Sequence, residues 1–544
     1  MAEKEYGTLQ NLFGDLPAGA EQEIDPVTEA VLLHFGTFCS VPHGSGNEAR
    51  LTEILADCFA GEGRQIRIDE AGNLIVDIPA SPGLEDAPLL MLQGHTDMVC
   101  AVRPGSGYVP ERDRIQAGMY RDEKSGRLIL SSCGDSSLGA DCGLGDAGIL
   151  WLFGRPVSGP AERQDEAEPA GRQGSGGLRH GPVRIVMTVN EENGLGGALE
   201  LSPEVFDGVR YVINVDGFTC GLFVAGSAGG RREKYSRDAE LTDTAALFEG
   251  STDELRTFEV CLSGFTGGHS GSDIAEGRVN ALWMMGRFLE ALTQHGVRYA
   301  LSSFTGGSAL NAIPGDSEAV LTVDSGSAAE FQNCLLDLIE AIRHDYRDTD
   351  DRGHVTYYET KRPEKAFSKE CCDALTGFVS SLTVGVKKYM DDMPDTPETS
   401  CNLGAVSARA GAERMQIHLF ERSMGGRSHE ELLEEHRRLS ARFGFRKVYG
   451  QNYPAWAYRQ DNRLPHLAKE LFEKETGRPG AVKAVHVGLE PAVFYDIDPT
   501  MQMVCMGADV LDPHSVHERV PVDTIRPFAR TLRRLVEAIG ERKE

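Results

Sequence analysis

The sequence lacks the features that would place it in a membrane or on nucleic acid. No apolar run is long enough to span a bilayer, and residues 1–6 are polar with no apolar core behind them. We therefore expect neither a membrane span nor a signal peptide. Positive charge is scarce, because 55 Lys and Arg face 83 Asp and Glu, for a formal net charge of -28. This excess of negative charge argues against polyanions, so no nucleic-acid partner is expected.

Cysteine pairs with zinc-finger spacing are also missing. The 12 cysteines are scattered along the chain, and Cys371 and Cys372 are adjacent, which suits no ordinary disulfide. We therefore expect reduced thiols in a cytoplasmic protein.

What the chain does have is length and an alternation of apolar strands with helical segments. Its 544 residues, 40% of them apolar, predict two or three domains. Residues 1–224 and 454–544 predict an α/β catalytic domain with a mixed central sheet flanked by helices. Residues 225–453 predict an inserted α+β lid domain, of one body or two related halves, with a βαββαβ order over residues 258–360. Residues 157–181, rich in Gly, Pro, Glu, Arg and Gln, predict a mobile surface insertion.

The chain is organised around residues 89–99, where four apolar residues lead into Gly94, His95 and Asp97. Residues two apart in an extended chain point the same way, so His95 and Asp97 are expected to share a face. That arrangement suits a metal-binding imidazole with an orienting carboxylate behind it. By itself the pattern is weak evidence for a metal site, and it favours the simpler interpretation that Asp97 merely ends the strand.

Two further apolar strands end in acidic residues. Residues 183–189 lead to Glu191 and Glu192, and residues 211–215 lead to Asp216. In open α/β sheets the functional site lies beyond the carboxyl ends of the strands. The strand ends are therefore the expected position of the chemistry.

These residues, with two more from turns, match the donor types that a pair of zinc-like ions requires. Such a centre needs histidine and carboxylate ligands, one of them bridging, and an open position for water. Each candidate alone could be a turn or capping residue, but six in such contexts favour a metal centre. The candidates are His95, Asp141, Glu191, Glu192, Asp216 and His514.

Two rival motifs are weaker. Residues 143–148 match the dinucleotide pattern G-x-G-x-x-G, but no long apolar strand leads into them and no ribose-binding acid follows at the expected offset. We interpret this segment as a glycine-rich turn before a helix over residues 147–153. Ser270 lacks the strand–turn–helix elbow of a serine nucleophile.

The motifs together resemble the M20 metallopeptidases, specifically their aminoacyl-histidine dipeptidase branch. The similarity occurs in family order over most of residues 30–535. It is carried by residues 93–100, 138–141, 188–194, 213–216, 228–230, 267–274, 311–314, 486–490 and 514–515.

The resemblance implies a catalytic domain interrupted by a lid and a centre of two Zn²⁺ ions, for which Co²⁺ or Mn²⁺ could substitute. It implies that His95 and Asp216 hold one ion, that Glu192 and His514 hold the other, and that Asp141 bridges them. Asp97 is implied to orient His95. Glu191 is implied to be the general base that takes a proton from the attacking water and passes it to the leaving amine.

The resemblance also implies roles for residues outside the metal centre. His269 would stabilise the oxyanion, in its own subunit or across a homodimer formed through the lid, although it could also be a turn-capping histidine. Asn311 and Arg422 would bind substrate, with the guanidinium suited to a terminal carboxylate. Glu490 would bind the substrate's free ammonium.

The expected activity is hydrolysis of small peptides, with Xaa-His dipeptides as the default and carnosine-like or broader small peptides included. An M20-type deacylase acting on N-acyl amino acids is the alternative, and a non-catalytic dimeric binding protein is a further one. The sequence departs from the branch at Leu310, where arginine is usual, and at Cys142, where asparagine is usual. Neither position is an implied metal ligand, so the departures bear on substrate choice more than on hydrolysis.

Overall fold

The computed structural model describes residues 8–155, 177–249, 251 and 254–542. The predicted insertion at 157–181 lies outside these residues except for 177–181. The chain divides into two compact units. The first comprises residues 1–227, 456–484 and 489–544, and the second comprises residues 228–455 and 485–488. None of the helices described is both long and apolar enough to cross a membrane.

The helices and strands are numbered in chain order. The helices α1–α13 are Leu9–Phe13, Ala20–Glu23, Pro26–Ser40, Ala49–Phe59, Ala140–Phe153, Gly196–Leu199, Ala281–Gln294, Ala328–Asp345, Lys369–Ser381, Arg427–Phe443, Leu464–Thr476, Pro491–Ile497 and Ile525–Gly540. The strands β1–β12 are Gln65–Ile68, Leu74–Ile78, Leu89–His95, Gly118–Arg121, Leu128–Ser131, Val183–Thr188, Val209–Asn214, Leu222–Ser227, Gly229–Asp238, Leu241–Asp243, Leu255–Ser263 and Gly268–His269. The strands β13–β24 are Tyr299–Gly306, Ala312–Ile313, Ser317–Asp324, His354–Glu359, Lys365–Phe367, Gly385–Tyr389, Pro397–Arg409, Arg414–Ser423, Arg446–Tyr453, Ala481–Val485, Gln502–Cys505 and Arg519–Pro521.

The first unit is built on an eight-stranded sheet in the order β1-β2-β6-β3-β7-β23-β8-β22. Its four central strands, β6, β3, β7 and β23, run parallel to one another. The strands beside them, β2 and β8, are antiparallel. The predicted mixed α/β fold is confirmed.

The central strands are apolar because both of their faces are covered. Leu90, Met91 and Leu92 follow one another in β3 and are all buried, as expected of a parallel strand inside a sheet. Helix α3 packs against α5 and α13. The buried stripe of α13 includes Phe528 and Leu532, which are spaced one helical turn apart.

The second unit contains one continuous nine-stranded antiparallel sheet. Its order is β16-β11-β15-β13-β19-β20-β9-β21, with β18 paired to β19. The predicted βαββαβ order is confirmed as β11, α7, β13, β15, α8 and β16. Helix α7 packs against α8 and α9, and their apolar faces close a separate core over the sheet.

Candidate metal centre

Three neighbouring parallel strands bring acidic and imidazole side chains to one edge of the first unit's sheet. His95 is the last residue of β3. Glu191 and Glu192 follow the end of β6, and Asp216 follows the end of β7. Because β6, β3 and β7 are adjacent and parallel, their carboxyl ends meet at the same edge. The clustering of these residues was expected from the strand ends alone.

Asp141 connects two histidines that are far apart in the sequence. It lies in the first turn of α5, where its backbone leaves the helical region, and the Asp141–Cys142 peptide bond is cis. Its Oδ1 lies 3.1 Å from His95 Nε2, and its Oδ2 lies 2.9 Å from His514 Nε2. One carboxylate oxygen therefore faces each histidine, which is the arrangement of a bridging ligand.

The other two carboxylates lie one on each side of this bridge. Asp216 Oδ1 is 3.6 Å from His95 Nε2. Glu192 Oε1 is 3.0 Å from His514 Nε2. The donors thus divide into a His95 and Asp216 group and a His514 and Glu192 group, with Asp141 between them.

Asp97 contacts the His95 imidazole on the side away from Asp141, and it also contacts the loop that carries Glu191 and Glu192. His95 Nδ1 is 3.0 Å from the backbone oxygen of Asp97 and 3.5 Å from its Oδ1. A proton on Nδ1 leaves the Nε2 lone pair directed at the carboxylates. Asp97 also accepts hydrogen bonds from the backbone N–H groups of Glu191, at 2.8 Å, and Glu192, at 3.2 Å, and from the Ser45 hydroxyl at 2.7 Å.

The electrostatics of the site show a shortage of positive charge. Burial, followed by the charge of Asp141, raises the pKa of Asp216 to about 8. Burial raises the pKa of Glu191 well above its usual range, and the carboxylates of Glu192 and Asp216 raise it further against the effect of His95. Burial lowers the pKa of His514, but the hydrogen bonds to Asp141 and Glu192 outweigh it and raise the pKa to about 11.

The side chains present fit a pair of divalent cations. Asp216 Oδ1 is buried and has no hydrogen-bond partner among the described residues. The ligand atoms of His95, Asp141 and Glu192 all lie within 4.8 Å of one another. Imidazole and carboxylate are ligands that zinc takes in catalytic sites, and buried carboxylates in such numbers need cations to offset their charge.

A residue that the sequence analysis missed holds the Asp141 segment in place. Glu518 is 1% exposed, and its carboxylate accepts the backbone N–H groups of four consecutive residues at 2.7–3.2 Å. These residues are Leu138, Gly139, Ala140 and Asp141. A carboxylate at the start of a helix satisfies N–H groups that have no intrahelical partner. No local motif marks Glu518, since it acts across 377 positions of sequence from Asp141.

Glu490 lies in a buried polar network. It is completely buried, and its Oε2 accepts hydrogen bonds from the Gln93 amide and from the Thr188 hydroxyl. Asn214 Nδ2 donates to Gln93 Oε1 at 2.6 Å. Glu490 Oε1 has no hydrogen-bond partner within residues 8–155, 177–249, 251 and 254–542. The network connects the interiors of β3, β6 and β7, the strands whose ends carry the site.

The remaining predicted residues lie together in the second unit. His269 belongs to β12, which pairs with β14 immediately after Asn311, and the Asn311 backbone oxygen accepts the Ser270 N–H at 2.7 Å. Arg422 Nη2 is 3.2 Å from His269 Nε2, and its Nη1 donates to the Tyr453 hydroxyl at 3.0 Å. Arg422 is 3% exposed and forms no ion pair with a carboxylate of the described residues. A buried guanidinium without a counterion is suited to an anionic group.

Known proteins resemble this chain over almost its whole length. Residues 261–350 match the M20 peptidase dimerisation domain. The cytosol non-specific dipeptidase of Escherichia coli (strain K12) is 25% identical over 505 residues, which are 93% of this chain and 96% of that protein. The predicted resemblance to the M20 peptidases is confirmed. The crystal structure of aminoacylhistidine dipeptidase from Vibrio alginolyticus, 24% identical, matches with a TM-score of 0.75 over 95% of this chain and 99% of its own. This structural match supports the M20 peptidase fold.

Proposed function

We propose that this protein hydrolyses dipeptides at a two-zinc centre, with Xaa-His dipeptides as the default substrates and broader small peptides included. The observation that carries the proposal is the Asp141 carboxylate, which directs one oxygen to His95 and the other to His514. A carboxylate shared by two imidazoles is what a pair of neighbouring ions requires. The names of the dipeptidases that resemble the chain support the same reaction.

The proposed ligands follow the two groups of donors. His95 and Asp216 would hold one ion, His514 and Glu192 the other, and Asp141 both. When bound, the ions supply Lewis acidity, which lowers the pKa of water and polarises the scissile carbonyl. Co²⁺ or Mn²⁺ could replace Zn²⁺, since both accept imidazole and carboxylate ligands.

Glu191 is the proposed general base. Burial raises the pKa of Glu191 above its usual range, which makes the carboxylate a stronger base toward the attacking water, and the proton it takes would then pass to the leaving amine. Asp97 holds the backbone N–H of Glu191 and the imidazole of His95, so it positions the base relative to a ligand. Its proposed role is orientation and not metal binding.

Substrate recognition is proposed for the second unit. His269 would donate to the oxyanion, and Arg422 would bind the terminal carboxylate of a dipeptide, with Asn311 nearby. The unpaired charge of the buried Arg422 guanidinium supports carboxylate binding. A homodimer formed through the lid domain is also proposed, since residues 261–350 match the M20 peptidase dimerisation domain, and His269 would act in its own subunit or across that homodimer.

Ammonium binding by Glu490 stays a prediction. The carboxylate is completely buried, with one oxygen in hydrogen bonds and the other without a partner among the residues that the structure describes. If Glu490 binds the ammonium, Glu490→Gln weakens the binding of free-amine substrates and spares N-acylated ones. Equal affinity of the variant and the parent protein for both kinds of substrate would remove this role.

We propose a cytoplasmic location. All 12 cysteines are free thiols, which fits a reducing compartment. The cytosolic dipeptidase that resembles the chain supports the same location.

The decisive experiment removes and restores the metal. Protein stripped with a chelator is reconstituted with zinc, manganese or cobalt and assayed on dipeptides, dipeptide amides and N-acyl amino acids. We expect activity to vanish on stripping, to return with metal and to favour unblocked dipeptides. Hydrolysis that survives both chelation and Glu191→Ala would overturn the mechanism. Preference for N-acyl amino acids would replace the dipeptidase assignment with the deacylase.

A further inference from the structure

A thiol lies among the proposed ligands of the first ion. Cys142 follows Asp141 directly and is 2% exposed. Its Sγ, one ligand atom of His95 and one of Asp216 all lie within 4.8 Å of one another. Asp141, Cys142 and Asp216 also line one small cavity. The sulfur therefore lies close to the proposed ligand atoms of His95 and Asp216, which are distant from Cys142 in sequence.

A second observation indicates that this position takes a ligand. Asp216 Oδ1 is buried, has no hydrogen-bond partner in the part of the chain that the structure describes, and lies 3.6 Å from His95 Nε2. A buried carboxylate oxygen in this condition is costly unless a cation or a donor satisfies it. One ligand atom each of His95, Cys142 and Asp216 lies within 4.8 Å of the other two, so the three side chains are close enough to meet such a cation together.

We propose that Cys142 is a sulfur ligand of the ion held by His95 and Asp216. The inference rests on the proposed two-metal centre and assigns it a donor beyond the histidines and carboxylates. The thiol would release its proton to solvent as the ion binds, since the thiolate is the form that coordinates metal. Three carboxylates and one thiolate carry four negative charges, which two divalent ions balance.

The consequence is a difference in metal preference between the two positions. Thiolate is a soft ligand that favours zinc, cobalt and cadmium over magnesium or manganese, which prefer oxygen. The donors identified at the other position, in the described part of the chain, are the imidazole of His514 and the carboxylates of Glu192 and Asp141. The first position is therefore expected to retain soft metals more tightly than the second.

Cobalt spectroscopy tests the assignment directly. Metal-free protein is loaded with two equivalents of Co²⁺, and its near-ultraviolet absorption is compared with that of Cys142→Ser and Cys142→Asn. We expect a sulfur-to-cobalt charge-transfer band in the parent protein that both variants lose. Cys505→Ser is the matched control, because Cys505 is another buried thiol near Asp216 but lies outside the ligand cluster. This variant is expected to keep the band.

X-ray absorption of the zinc-loaded parent protein tests the inference without any substitution. One thiolate bound to one of the two zinc ions predicts an average of half a sulfur per zinc, at about 2.3 Å. Two bound zinc ions with only nitrogen and oxygen neighbours would overturn the sulfur ligand and leave the two-metal centre intact. A cobalt band that persists in Cys142→Ser would overturn it as well. Failure of the parent protein to bind metal would overturn both proposals.

Discussion

The Asp97 carboxylate accepts the backbone N–H of Glu191 at 2.8 Å through Oδ1, and the same oxygen lies 3.5 Å from His95 Nδ1. One side chain therefore fixes both a proposed metal ligand and the loop that carries the proposed general base. Movement of this carboxylate would displace both groups together.

Asp97→Asn is expected to lower kcat/KM by about 10- to 100-fold, the usual effect of losing a partner of a metal ligand. The amide keeps the size of the side chain but presents N–H donors to the N–H groups of Glu191 and Glu192. Steady-state kinetics and metal content measure the effect. Ser45→Ala is the control, because it removes only the 2.7 Å hydrogen bond to Oδ2. A loss no larger in Asp97→Asn than in Ser45→Ala would contradict the orienting role.

Glu191 and Glu192 are adjacent residues with different proposed roles, so their variants serve as controls for each other. Glu191→Gln is expected to keep two ions per chain and to lose about 10²- to 10⁴-fold in kcat, the usual contribution of a general base. Glu192→Gln is expected to lose metal, because it removes the carboxylate 3.0 Å from His514. Metal analysis beside kinetics separates the two. Loss of metal from Glu191→Gln would place that residue among the ligands.

The sequence predicted where the candidate residues of the site cluster, but it did not predict the residue that holds the Asp141 segment in place. Strands with apolar cores and acidic ends are visible in one dimension, and parallel pairing of β6, β3 and β7 then brings their ends together. Glu518 could not be predicted in this way, because its partners are backbone N–H groups that become neighbours only when α5 has formed. The return of residues 485–488 to the second unit was also unpredicted, since four residues carry no periodic signal.

The glycines of residues 143–148 show how one pattern can mislead. They predicted a turn followed by a helix over residues 147–153, but α5 is assigned from Ala140. A Cβ atom at Gly145 would lie 2.2 Å from the Val215 backbone oxygen, and one at Gly148 would lie 2.8 Å from the Phe528 ring. These glycines permit close packing of a buried helix, and their clustering did not mark a loop.

Glu518→Gln is expected to weaken metal binding by about 10- to 100-fold without removing a ligand. The substitution replaces one acceptor oxygen with an N–H donor facing the backbone N–H groups that lead into Asp141. The Asp141 segment then loses its support. Competition with a chromophoric chelator measures the zinc affinity. Glu53→Gln, an exposed substitution in the same unit, is expected to leave the affinity unchanged. Equal affinities in both variants would show that Asp141 does not depend on Glu518.

Arg422→Met is expected to raise KM for free dipeptides by about 10- to 150-fold, because a hydrogen bond to a charged group contributes ~1.5–3 kcal/mol. Dipeptide amides, which lack the carboxylate, are expected to change much less. Comparing the two substrates in each protein isolates carboxylate binding from structural damage. Arg256→Met, which removes an exposed guanidinium paired with Glu359, controls for loss of charge. Equal losses on acid and amide substrates would contradict carboxylate recognition by Arg422.

Asp216→Asn is expected to change stability in opposite directions with and without metal. In metal-free protein, burial and then the charge of Asp141 raise the pKa of Asp216 to about 8, above its ordinary value of 3.8. The native state therefore holds a proton that the unfolded state releases, so stability falls as the pH rises from 3.8 to about 8.

Asparagine cannot ionise, so Asp216→Asn should remove the loss of stability that Asp216 causes as the pH rises. The variant should therefore raise the Tm of the metal-free protein at pH 7. With zinc bound, the same variant should melt lower than the parent protein, because a ligand is missing and less binding energy stabilises the native state. Thermal melts in chelator and in zinc, from pH 5 to pH 8, measure the difference between the two proteins. If the variant melted higher than the parent protein with zinc as well as without it, Asp216 would not be a ligand. The substitution would then act only by removing a buried ionisable group.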